Sequence, residues 1–77
     1  MKRIEILGMS WARCSQLAER AQKAVEELGI DAEVVKVQDI QTISNYGVLT
    51  IPALVVNGVV KVAGKVPKME EIKEWIK

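Results

Sequence analysis

Lys2 to Leu7 alternates charged and branched apolar residues and then becomes continuously apolar, the pattern of a strand entering the interior of a sheet. From Cys14 onward the apolar positions recur at three and four residues, through Leu17, Ala18, Ala21, Val25 and Leu28. That spacing predicts a helix with one core-facing stripe, and Cys14 belongs to the stripe. Ser10 is the candidate N-cap, the helix runs to about Leu28, and Gly29 stands where a helix ends in a left-handed residue. Asp31 to Val37 is short and valine-rich, which predicts a second strand parallel to the first. Asp39 then caps a short helix through about Tyr46, with Ile40 and Ile43 facing in and Gly47 ending it.

After that the period changes. Ala53 to Val56 and Val59 to Ala63 flank Asn57-Gly58, the strongest short signal for a two-residue type I′ hairpin, so these strands are expected to be antiparallel. Gly64 breaks the second of them, Pro67 fits the first turn of a last helix, and Met69, Ile72, Trp75 and Ile76 form its apolar face. The order is β-α-β-α-β-β-α. It predicts an α/β fold, a right-handed parallel unit followed by a hairpin, with four strands in a mixed sheet flanked by three helices.

Seventy-seven residues bound this to one domain, 1–77, with a modest core. Apolar residues at 49% and charged residues at 27% fit a folded chain and exclude disorder. Eleven basic against ten acidic side chains give a net charge of +1 with no run of like charge, so nucleic acid is not expected as a partner. The longest apolar run, Ala53 to Val56, is far below the roughly 20 residues that span a bilayer, and no apolar leader follows Lys2-Arg3. No membrane association is expected, and the expected location is cytoplasmic.

The chain has no histidine, which removes the usual general base, the Ser-His and Cys-His pairs and the commonest zinc ligand. Its single cysteine cannot build a disulfide framework or a thiolate metal cage, so no metal or cofactor is expected. Distinctive chemistry has to involve Cys14. It lies in Gly8-Met9-Ser10-Trp11-Ala12-Arg13-Cys14-Ser15, between a strand and a helix, where a C-x-x-C pair would be read as a redox site; here the first position of such a pair holds Trp11.

Five segments carry a family likeness: Ile-Glu-Ile-Leu-Gly (4–8), Trp-Ala-Arg-Cys (11–14), Ala-Val-Glu-Glu-Leu-Gly-Ile-Asp-Ala (24–32), Thr-Ile-Pro-Ala-Leu-Val-Val-Asn-Gly (50–58) and Ala-Gly-Lys-Val-Pro (63–67). With the element order, they make the chain resemble the thioredoxin-like superfamily over essentially its whole length. The nearer likeness is to the small archaeal and bacterial glutaredoxin-like proteins, called small redox-active disulfide proteins. The resemblance implies a thioredoxin-like three-layer fold and a protein thiol or disulfide substrate. It implies that Pro52 is a cis-proline facing the loop of Trp11, Ala12 and Arg13, with the Ile51 backbone free to pair with an extended peptide. Read from composition alone, Pro52 simply opens an edge strand, since only about 5–6% of X-Pro bonds are cis.

In such families the exposed first cysteine attacks the substrate disulfide and the second releases it. Carried over, the attacking position is Trp11 and the resolving position is Cys14. A helix N-terminus and Arg13 favour a thiolate by about 0.3–1 kcal/mol, whereas full burial disfavours it by several kcal/mol. If Trp11 closes access, Cys14 is a small buried hydrophobe; if the loop opens, it can form a mixed disulfide, a reversible oxidised cap or a Cys14-linked dimer of an otherwise monomeric protein. The expected function is therefore a redox protein with a degenerate Trp-Ala-Arg-Cys site. The alternative is a non-catalytic peptide-binding module using the groove by Trp11 and Pro52. Arg13 and Lys65 read as solvated charges, Tyr46 and Trp75 as helix packing.

Overall fold

A strand with branched side chains on both faces is stable only where both faces are covered, and β1 (Lys2–Leu7) meets that condition. The computed structural model describes residues 2–8 and 12–77. It places β1 inside a four-stranded sheet of order β2-β1-β3-β4. β2 (Ala32–Val37) runs parallel to β1, with Ile4 opposite Val34 and Leu7 opposite Val37. On the other side β3 (Ala53–Val56) is antiparallel, with Leu7 opposite Ala53 and Ile4 opposite Val56. β4 (Val59–Ala63) closes that edge against β3.

The period of two sends alternate residues to opposite layers. Ile4, Ile6, Leu54 and Val56 pack under α1 (Ala12–Leu28) and α3 (Met69–Ile76), against Leu17, Ala21, Ile72 and Ile76. Leu7, Ala53 and Val55 face the other way, against Ile43 of α2 (Ile40–Asn45). Three layers result. Ile4, Leu17, Leu54, Ile72 and Ile76 have no exposed surface, and each such side chain contributes about 1.5–3 kcal/mol on burial. The predicted stripe of α1 is the buried one, completed by Ala24, although Leu28 at its end is only half-buried.

The hairpin turn has both central residues at positive φ, 49° at Asn57 and 83° at Gly58, as a type I′ turn requires. Asn57 is also tied to β1: its N–H donates to the Arg3 carbonyl at 2.8 Å, and its Oδ1 accepts the Arg3 N–H at 2.9 Å. Val55 pairs with Val60 but Leu54 pairs with Val62, leaving Lys61 as the extra residue of a bulge. The bulge sends Val60 and Val62 to opposite layers and puts a charge on the sheet edge, where it blunts edge-to-edge association.

Two expectations change. Ile40 was expected inside and is 68% exposed: a six-residue helix covers the sheet with one turn, Ile43 occupies it, and the first residue stays in solvent. Pro67 does not open the last helix. It is buried two residues ahead of it, its carbonyl accepting from Arg20 Nη1 at 2.8 Å, and Lys68 is the N-cap, its N–H donating to Glu71 Oε1 at 3.2 Å. Glu5, the acidic residue within the alternating first strand, is only 6% exposed. The N-cap assigned to Ser10 lies outside the described residues, whereas Asp39 caps α2 as expected, accepting from the Gln41 N–H at 3.3 Å and Thr42 Oγ1 at 2.8 Å.

Glu5 is held by polar partners. Tyr46 Oη donates to Glu5 Oε1 at 2.7 Å, and Arg3 Nε stands 3.8 Å away while its Nη1 reaches Glu33 at 2.7 Å. Donation to the carboxylate, with burial and the Glu5 charge, raises the Tyr46 pKa above its ordinary 10.0. The neutral phenol is thus the form the fold favours, so its contribution is complete below the unfolded value and is lost as pH rises through the raised folded one. Tyr46→Phe should cost about 1–3 kcal/mol at neutral pH by leaving a buried acceptor without its donor. It should also remove this site's share of the stability loss above pH of about 10. Urea denaturation of both proteins from neutral to alkaline pH reads both effects, and identical alkaline slopes would contradict the coupling.

Candidate functional site

The third residue of α1 is Cys14, and the helical stripe turns it inward to 5% exposure. Its sulfur fills the space that a side chain at Gly8 would need. A Cβ at Gly8 would stand 2.5 Å from Cys14 Sγ, a distance that real Cβ atoms do not tolerate, and 3.7 Å from Ile51 Cβ. Gly8 itself is fixed by its N–H, which donates to the Val37 carbonyl at 3.0 Å and carries the β1–β2 ladder one residue further. The thiol and Ile51 therefore flank Gly8, the residue that follows the central strand.

Ile51 is half-buried, Pro52 is buried, and the peptide between them is cis. The Pro52 carbonyl accepts the Gly64 N–H at 2.8 Å, and the Gly64 carbonyl accepts Arg13 Nη2 at 3.1 Å. One residue thus links the segment before β3 to the first turn of α1. Only glycine suits that place: φ is +83°, and an added Cβ would lie 2.7 Å from Thr50 Oγ1. Reading Gly64 only as a strand breaker misses this bridge. Its sequence signal is weak, a single glycine after a strand.

Of the residues singled out in the sequence, Cys14, Ile51, Pro52 and Arg13 converge on Gly8 and Gly64, while Ala12 and Arg13 are exposed. Trp11 lies outside the described residues. Lys65, next to Gly64, is exposed, as is Leu49 at 98%, two residues before Ile51.

The contact between Gly8 and the thiol is testable by a mutant cycle. Gly8→Ala should destabilise by about 1–3 kcal/mol, the usual cost of overpacking. In a Cys14→Ala background, where the sulfur is gone, the same substitution should cost distinctly less. Denaturation midpoints of the four proteins measure the coupling, and an equal cost in both backgrounds would show that the sulfur does not occupy that space.

The family model described as "Thioredoxin domain" matches residues 2–77. A protein named thioredoxin from Methanocaldococcus jannaschii is 46% identical over 74 residues, covering 96% of this chain and 85% of the relative. Another of that name, from Methanothermobacter thermautotrophicus, is 42% identical over 74 residues and is covered to 96%, as is this chain. No helix among the described residues is long and apolar enough to cross a membrane. With the β-α-β-α-β-β-α order, the mixed four-stranded sheet and a match over nearly the whole length, the chain belongs to the thioredoxin family.

Proposed function

We propose that this protein is a cytoplasmic, glutaredoxin-like thiol–disulfide exchange protein that works with one thiol, Cys14. Trp11 stands where the attacking cysteine would be, so the Trp-Ala-Arg-Cys site is degenerate and its turnover is weakened. The observation that supports this reading is the placement of the one thiol against Gly8, with Ile51 of the cis Ile51–Pro52 peptide next to the same residue. An extended substrate laid along Ile51, next to the cis Pro52, would bring its disulfide to that place.

The exchange balances without a second protein cysteine. The Cys14 thiolate attacks one substrate sulfur, forms a mixed disulfide and expels the other substrate sulfur as a thiolate. An external thiolate attacks the Cys14 sulfur and releases the remaining substrate thiolate. A second external thiolate then frees Cys14 and leaves as the external disulfide. Two electrons pass from two external thiols to the substrate. Because the resolving thiol comes from solution, the step lacks the effective concentration of an intramolecular one. It also requires Cys14 to become reachable from a buried position.

A non-catalytic polypeptide-binding module is the second reading. Leu49, almost fully exposed two residues before Ile51, favours it by offering apolar contact area, to which Trp11 would add an anchor.

Reduction of insulin disulfides by dithiothreitol separates the two. The native protein should accelerate it weakly, and Cys14→Ser should abolish the acceleration. Trp11→Cys, which restores the intramolecular resolving step, should raise it by about tenfold or more. Equal rates for the native protein and Cys14→Ser would leave only the binding module.

A further inference from the structure

Two basic residues meet the chain at neighbouring points beside the Ile51–Pro52 segment. Arg13 donates one N–H to the Gly64 carbonyl at 3.1 Å, and Lys65 is the next residue along the chain. Both are exposed, and among the described residues neither enters an ion pair, whereas Arg3, Lys73 and Lys77 each pair with a glutamate. The bond to Gly64 holds the guanidinium in place and, among the described residues, leaves its other N–H donors unspent. Gly64 in turn donates to the Pro52 carbonyl at 2.8 Å, so these charges flank the segment at which a substrate would lie.

An anion brought to the Gly64–Lys65 peptide would interact with both charges. The net charge of +1 offers no wide positive field for a polyanion, so the complement is local: one or two carboxylates presented by a polypeptide. We propose that the groove beside Ile51 and Pro52 selects polypeptide segments that carry acidic side chains next to the reacting cysteine, and that Arg13 and Lys65 are the specificity-determining residues. Charges at such a rim act on encounter rate and on partner choice. The inference rests on the groove being a polypeptide site, as argued above.

Three decapeptides test it, each with a central S-methylcysteine, which cannot exchange, flanked by glutamate, glutamine or lysine. Titration calorimetry at low salt should find the glutamate peptide bound about tenfold more tightly than the lysine peptide, and the ratio should shrink towards one near 1 M salt, where the screening length is about 3 Å. Lys65→Gln, a change at an exposed side chain, should lower the ratio by about two- to fivefold, and adding Arg13→Gln should erase it. Arg13→Lys keeps the charge and should keep most of the preference, which a purely structural role for the Gly64 bond would not. No binding, equal binding of the three peptides, or a preference that survives the double variant would overturn the proposal. Since none of the peptides can exchange, acidic preference in a protein without insulin reductase activity would support the proposal and reject the redox reading alone.

Discussion

The central strand depends on being enclosed on every side. β1 is paired along both edges and packed on both faces, so its path is fixed to its last residue, and Gly8 is delivered to one position. The stripe of α1 is fixed by the same core through Leu17 and Ala21. Cys14, one turn before Leu17, is therefore carried onto Gly8 by packing that has nothing to do with sulfur chemistry. The site is a product of the core. Where β1 ends and where α1 starts to bury side chains are two statements of one constraint.

Much of this was legible because it is periodic or turn-specific. The stripe of α1, the valine-rich β2, the Asn57-Gly58 hairpin and the Asp39 cap each follow from a local rule, and the element order followed from them. The rest was not local. Ile40 and Ile43 look alike in sequence; only the length of helix that the sheet can accommodate decides which one is buried. Glu5 reads as the polar half of an alternating strand until Tyr46, 41 residues later, supplies its donor. Gly64 reads as punctuation until Pro52 and Arg13 are seen to meet there. Within the candidate site, Cys14 was identified by its inward register and Pro52 by its Thr-Ile-Pro setting, whereas Gly8 as the seat of the thiol has no signal beyond being a glycine at the end of a strand.

The consequence for chemistry is a separation of tasks. Position is supplied by the sheet and by the Arg13–Gly64–Pro52 bridge, which ties the first turn of α1 to the segment before β3. In the proposed function reactivity rests on one thiol, which the same packing encloses. On the proposed reading, a protein built this way holds the Ile51–Pro52 segment in place and exposes its thiol reluctantly, so rate and recognition need not change together under mutation.

The central claim is that a disulfide reaches Cys14 in the folded protein. Mass spectrometry of the native protein incubated with glutathione disulfide tests it directly. The account predicts a single mixed disulfide at Cys14, formed more slowly than in the urea-unfolded protein and fully reversed by dithiothreitol. If the folded protein stays unmodified over a time in which the unfolded chain is completely modified, the thiol is only a core side chain and the account is wrong.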